Sequence, residues 1–155
     1  MHLLLSRREV EVLQGLLLLL VSVGQVESQT RPAQVAVAPF SVERDSGGSV
    51  RAVADRCLDA LAGGLKTKGI EVSRHDRLAE DDVKAAGPAL LAVLGEFTRK
   101  DGQYSGELQL FEVGSGEELR SYFVNVRDAA AAAKSCAAAA DRVVAVLKEQ
   151  KAAGE

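Results

Sequence analysis

ALLAVLGEFTRKDGQYSGELQLFEVGSGEELRSYFVNV, residues 89–126, reads as three strands in succession. Ala89 to Arg99 opens with the unbroken apolar run Leu90-Leu91-Ala92-Val93-Leu94, the signature of a strand buried on both faces and central in its sheet. Asp101-Gly102 follows, the strongest hairpin-turn signal in the chain. Tyr104 to Val113 then alternates, with Leu108 and Leu110 on one face and Glu107 and Gln109 on the other. Gly114-Ser115-Gly116 turns the chain again, and Leu119 to Val126 completes an antiparallel meander.

On its N-terminal side the rhythm differs. Ala33 to Phe40, ended by Pro39, reads as a short buried strand. A polar loop from Ser41 to Gly48 leads to Ser49, an N-cap residue. Val50, Val53, Ala54, Cys57, Leu58, Leu61 and Leu65 form one helical stripe, opposite Arg51, Asp55, Arg56 and Asp59. Gly69 ends that helix, and Gly63-Gly64, at roughly 1 kcal/mol per residue, predicts early fraying. Ile70 to Ser73 is a second strand, parallel to the first because a helix connects them. Leu78 to Ala86 reads as a short polar helix stopped by Gly87-Pro88. Beyond the meander, Asp128 caps a long helix, Ala129 to Gln150, whose stripe is Ala129, Ala132, Ala133, Cys136, Ala140, Val143, Val144 and Leu147. The expected order is β-α-β-α-β-β-β-α, an α+β chain with a mixed sheet packed against helices.

Residues 1–28 differ from the rest. Arg7 and Arg8 precede the apolar run Gly15 to Val23, and Val26 and Ser28 have the spacing that signal peptidase accepts. The run is far shorter than the roughly 20 residues a bilayer span needs. It therefore predicts a signal peptide over residues 1–28, cleaved after Ser28, and no stable membrane span afterwards. No Cys lies near the cleavage zone, so the leader is not of the lipoprotein type. Residues 29–155 then form one domain, since 155 residues hold little more than one. The 47% hydrophobic content is that of a folded chain. Nineteen basic against 22 acidic residues, a net charge of −3, argue against a nucleic-acid partner. No Trp, 4% aromatics, two His and two Cys leave neither base-stacking platforms nor a zinc ligand set.

Val35-Ala36-Val37-Ala38-Pro39-Phe40, the helix after it and Gly69-Ile70-Glu71-Val72 resemble the opening of the TolB N-terminal domain. Leu90 to Gly95, Gly102-Gln103-Tyr104, Leu108 to Val113, Gly116 to Leu119 and the closing helix with Ala140-Asp141-Arg142-Val143 are similar to the later strands and the last helix of that domain. The resemblance covers roughly residues 33–149 and extends to curli exporters and LpoB-type activators of penicillin-binding proteins. It implies an anticodon-binding-domain-like two-layer sandwich. It also implies an exported, periplasmic, non-enzymatic module without cofactor or metal, which docks other envelope proteins as a Tol-Pal-like or envelope-assembly accessory. In TolB-like proteins the mature N-terminus binds partners, and its counterpart here is Gln29-Thr30-Arg31-Pro32. The TolB β-propeller, the lipidated Cys and the exporter's membrane hairpins have no counterpart in these residues.

Candidate chemistry is sparse. Ser73-Arg74-His75-Asp76 places a nucleophile, base and acid in a row, but strand neighbours point to alternating sides, which favours a solvated cluster. Glu80-Asp81-Asp82, near His75 and Asp76, lacks the regular oxygen spacing of a Ca²⁺ loop and suits a helix N-terminus. Gly47-Gly48-Ser49 supports an alternative function, a small-ligand or nucleotide-sensing domain with an anion at a helix N-terminus. It lacks the dinucleotide and P-loop signatures. Cys57 and Cys136 lie on the apolar stripes of the two long helices. They are either buried free thiols or, if the helices lie side by side in an oxidising compartment, a disulfide requiring Cα atoms about 4.4–6.8 Å apart.

Overall fold

The computed structural model describes residues 34–43 and 47–154, within the compact unit Ala33–Glu155. The expected leader, residues 1–28, and the segment Gln29 to Pro32 lie outside the described residues. The elements are β1 (Val35–Val37), β2 (Ser41–Val42), α1 (Gly47–Thr67), β3 (Val72–Arg74), a 3₁₀ helix (Glu80–Ala85), β4 (Leu91–Lys100), β5 (Gln103–Glu112), β6 (Glu118–Val126) and α2 (Ala129–Ala153). The sheet runs β3-β1-β4-β5-β6, with β2 also paired to β4. β1 is parallel to β3 and β4, whereas β4, β5 and β6 form the antiparallel meander. The result is the expected α+β class, a mixed six-stranded sheet in a two-layer sandwich.

Three elements depart from the sequence reading. The strand expected over Ala33 to Phe40 shortens to β1, since Pro39 has no N–H for the ladder, and the polar loop expected from Ser41 opens with a second short strand, β2. β1 pairs with Leu91 to Val93, the chain detours through Ala38 to Phe40, and β2 rejoins the same strand at Glu96 and Phe97. The Arg51 guanidinium donates to the Phe40 carbonyl, which satisfies an acceptor of the detour. The polar helix expected over Leu78 to Ala86 is 3₁₀ over Glu80 to Ala85; only Val83 and Ala86 of this turn are buried, too few apolar anchors for a longer α-helix. The fraying expected at Gly63-Gly64 does not occur, and α1 continues through both to Thr67. A Cβ at Gly64 would lie 2.9 Å from the Ala140 Cβ, so this glycine lets α2 approach closely, and the packing offsets its propensity cost.

Ser49, expected to cap α1, instead lies within its first turn, because the helix begins at Gly47; the turns and caps that follow are those the residue types dictate. Gly69, at φ +78, reverses the chain after α1, and the Ile70 N–H donates to the Leu65 carbonyl at 3.0 Å. Asp101 and Gly102, at φ 54 and 77, make the two-residue turn between β4 and β5. The Asp128 Oδ1 accepts from the Ala131 N–H at 2.8 Å and caps α2.

Both long helices cover one face of the sheet. The main core joins Val50, Val53, Cys57, Leu61 and Leu65 of α1 and Ala132, Cys136, Ala140, Val143 and Leu147 of α2 to Val35, Val37, Leu91, Val93, Leu108 and Leu110. Phe40 and Phe97 stack there with ring centroids 6.0 Å apart. Beneath them are two glycines: added Cβ atoms would meet Phe40 at 2.7 Å from Gly95 and Phe97 at 2.4 Å from Gly106. On the other face, Val83, Ala86 and Ala89 cover Ala36, Ala92, Phe111 and Val113 in a smaller cluster. That cover reaches one end of the sheet only.

Candidate functional site

Alternation along β4, β5 and β6 sends every second side chain to the face opposite the long helices. Where the 3₁₀ segment stops, three rows cross the strands. The first is Leu94–Gln109–Ser121, the second Glu96–Glu107–Phe123 and the third Thr98–Ser105–Asn125, each in ladder register. Phe123 is 74% exposed, whereas its β6 neighbours Val124 and Val126 are buried on the helix face. Phe123 is thus a large apolar side chain left in solvent in the middle of the edge strand, with the Glu107 carboxylate next to it in its row and Glu96 beyond.

A shallow depression of about 330 Å³ lies here, lined by Glu43, Glu96, Thr98, Ser105, Gly106, Glu107 and Phe123. Its shape is held from below and from the sides. The Phe97 ring underlies Gly106 on the helix face, so the floor is backbone supported by packed core. The Glu43 N–H donates to the Phe97 carbonyl at 3.0 Å, and the Thr98 hydroxyl donates to the Glu43 carboxylate, fixing that acid at the rim. The Ser105 hydroxyl donates to the Asn125 Oδ1 at 2.7 Å across β5 and β6. The arrangement offers an aromatic surface, carboxylate acceptors and hydroxyls already engaged in hydrogen bonds, all on one sheet face, groups that suit recognition.

Of the residues singled out from the sequence, the fold brings some pairs together and separates others. Ser73 and His75, two apart on β3 and the residues after it, share a side, and Ser73 Oγ lies 3.2 Å from His75 Nε2. Asp76 instead lines a separate groove of about 350 Å³ with Arg77, Glu80, Glu96 and Gln109. Glu80, Asp81 and Asp82 are exposed in the first turn of the 3₁₀ helix. Among the described residues, no group of three or more His, Cys, Asp or Glu side chains is placed to hold a metal ion. Gly47 and Gly48 are not a loop before a helix, as the small-ligand reading required; they already belong to the first turn of α1. Cys57 and Cys136 are fully buried between α1 and α2, bonded to each other with Cα atoms 5.2 Å apart.

Phe123, Glu96 and Glu107 were not singled out by sequence. Their signal was present in β6, where Tyr122, Val124 and Val126 share one parity and Phe123 falls with Ser121 and Asn125 on the polar one. An aromatic out of phase with its strand is the mark of an apolar residue facing out.

No family model matches the sequence, and no curated protein matches it. Solved structures do. The PelC dodecamer from Paraburkholderia phytofirmans, in a leucine-to-methionine form, is 17% identical over 71% of this chain and 88% of its own, with a TM-score of 0.50. TolB from Acinetobacter baumannii is 15% identical over 74% of this chain and 28% of its own, at 0.49. The LpoB C-terminal domain from Salmonella enterica is 10% identical over 62% and 84%, at 0.40. The likeness to PelC bears on the fold alone.

Proposed function

We propose that this chain is an exported, non-enzymatic module of the cell envelope that docks another envelope protein on the uncovered face of β4–β5–β6. The observation that carries this reading is Phe123, an aromatic held out of the core on a rigid strand beside a shaped depression. Large aromatics at the centre of a patch supply much of the energy of protein association, whereas on a solvated surface they cost solubility. The compartment is supported by the pairing of Cys57 with Cys136, since such bonds persist in oxidising surroundings. The leader-like residues 1–28 agree with it. Among the described residues, no helix is long and apolar enough to cross a membrane.

The test is site-specific photo-cross-linking in producing cells. A benzophenone amino acid in place of Phe123 should give a discrete cross-linked species with one envelope protein, and the same group in place of Arg56, exposed on α1, should not. Equal labelling from both positions, or none from position 123, would overturn the docking face. N-terminal sequencing should find a chain that begins at Gln29; an intact Met1 on protein in the cytoplasm would overturn export.

A further inference from the structure

We propose that the depression at Phe123 receives an arginine- or lysine-bearing segment of the partner, with its cation over the Phe123 ring and between the carboxylates of Glu96 and Glu107. The proposal rests on the docking reading above and adds the chemistry of the occupant. Glu96 and Glu107 are register partners, directly opposite across β4 and β5. Like charges in that relation destabilise a sheet, so the pair is a cost the isolated fold does not need. Glu43, fixed by Thr98, brings a third carboxylate to the same depression.

Among the described residues, some acidic side chains of the fold have a basic partner, and others, such as Glu80, Asp81 and Asp82, stand in solvent without one. Asp55 pairs with Arg51, Asp59 with Arg74, Asp141 with Lys68 and Glu149 with Arg120. Among the described residues, no such partner serves Glu43, Glu96 or Glu107. The aromatics show the same contrast. Arg99 lies 5.5 Å from the Tyr104 ring centre and Arg142 lies 5.1 Å from that of Tyr122, while Phe123, next to Tyr122 but on the opposite face, has no cation over it among the described residues.

The occupant is decided by the groups each kind of partner would bury. A purely apolar segment would cover Phe123 but desolvate Glu96 and Glu107 without compensation. An acidic segment would add to the repulsion. A cation on an apolar stem meets both demands, its methylenes along Phe123 and its charge at the carboxylates. Arginine fits best, because its planar guanidinium stacks on a ring while donating to two carboxylates.

The experiment is a fluorescence-anisotropy titration of the disulfide-bonded protein with a labelled hexapeptide of alternating arginine and leucine, and with its glutamate–leucine counterpart. The arginine peptide should bind at least about tenfold more tightly. Its affinity should fall about tenfold in Phe123→Ser and again in the joint variant Glu96→Gln and Glu107→Gln, survive in Phe123→Tyr, and weaken with added salt. Backbone-amide NMR of the unsubstituted protein supplies a readout independent of any variant's folding, with shifts expected in the rows at Glu96 and Thr98. Equal affinity for the two peptides, no saturation by about 1 mM arginine peptide, or shifts confined to the helix layer would each overturn the cationic occupant. Glutamate-peptide binding that Phe123→Ser abolishes would overturn the cation while leaving the docking face standing. A missing cross-link at position 123 would remove the docking face itself.

Discussion

Gly64 of α1 and Ala140 of α2 are in backbone-to-methyl contact, with a Cβ built at Gly64 falling 2.9 Å from the Ala140 Cβ and 3.3 Å from the Ala137 carbonyl oxygen. Its neighbour Gly63 has open space around the same position. Two adjacent glycines in one helix thus have opposite consequences. Gly63→Ala should raise stability by up to about 1 kcal/mol through helix propensity alone. Gly64→Ala gains the same propensity but must push the helices apart, and a net loss of about 1–2 kcal/mol is expected. Urea unfolding of both variants measures the difference; equal shifts of the same sign would be the wrong outcome.

The cysteine pair should be covalent in exported protein. Denatured, unreduced protein should titrate no free thiol, and reduced protein two. Joint replacement of Cys57 and Cys136 by Ala should cost about 4 kcal/mol by the chain-entropy account of a bond spanning 79 residues. The melting point should then fall on the order of 10 °C, read by circular dichroism with and without reductant.

Phe97 and Gly106 form a second matched pair, with the ring 2.4–2.8 Å from where a Gly106 methyl would stand. Gly106→Ala should cost about 2–3 kcal/mol. A smaller residue at the ring position, Phe97→Leu, should recover part of that loss. A double-mutant cycle should therefore return a favourable coupling of about 1 kcal/mol or more. Additivity would mean that the ring moves aside freely.

At the start of α2 the Asp128 carboxylate carries the cap. Asp128→Ala should cost about 1 kcal/mol, while Asp128→Asn, which keeps an acceptor oxygen, should cost little. Thermal melts of the two variants beside the parent decide this.

Much of the fold was legible because its signals are local. Alternation at Glu107, Leu108, Gln109 and Leu110 and the Asp101-Gly102 turn placed the meander, and three- and four-residue spacing placed both long helices. What escaped depends on residues distant in the chain. Whether Gly63-Gly64 breaks α1 is decided by Ala137 and Ala140, more than 70 positions away. The split between β1 and β2 depends on both halves meeting one strand, β4. The site was less legible still. The alternation of β6 puts Phe123 on the face opposite Val124 and Val126, but that this face is left open there depends on where the 3₁₀ segment stops, which β6 does not encode. Ser73, His75 and Asp76 drew attention as residue types, yet the fold puts them at the margin.

The bond between α1 and α2 also decides how the domain carries a mechanical load. Tension applied at its two ends would pass from residue 57 to residue 136 through the sulfurs, bypassing β3, the 3₁₀ segment and the entire meander. That separation of 79 positions would add nothing to the extended length, about 270 Å of slack withheld from a pulled chain. The strands that bear Glu96, Glu107 and Phe123 lie inside the closed loop, but β1 and β2, which pair with β4, lie outside it and pass load to that strand. A pull that strips the chain before Cys57 would thus take β1, β2 and Glu43 away from β4 and with them one wall of the depression, while the closed loop keeps its length.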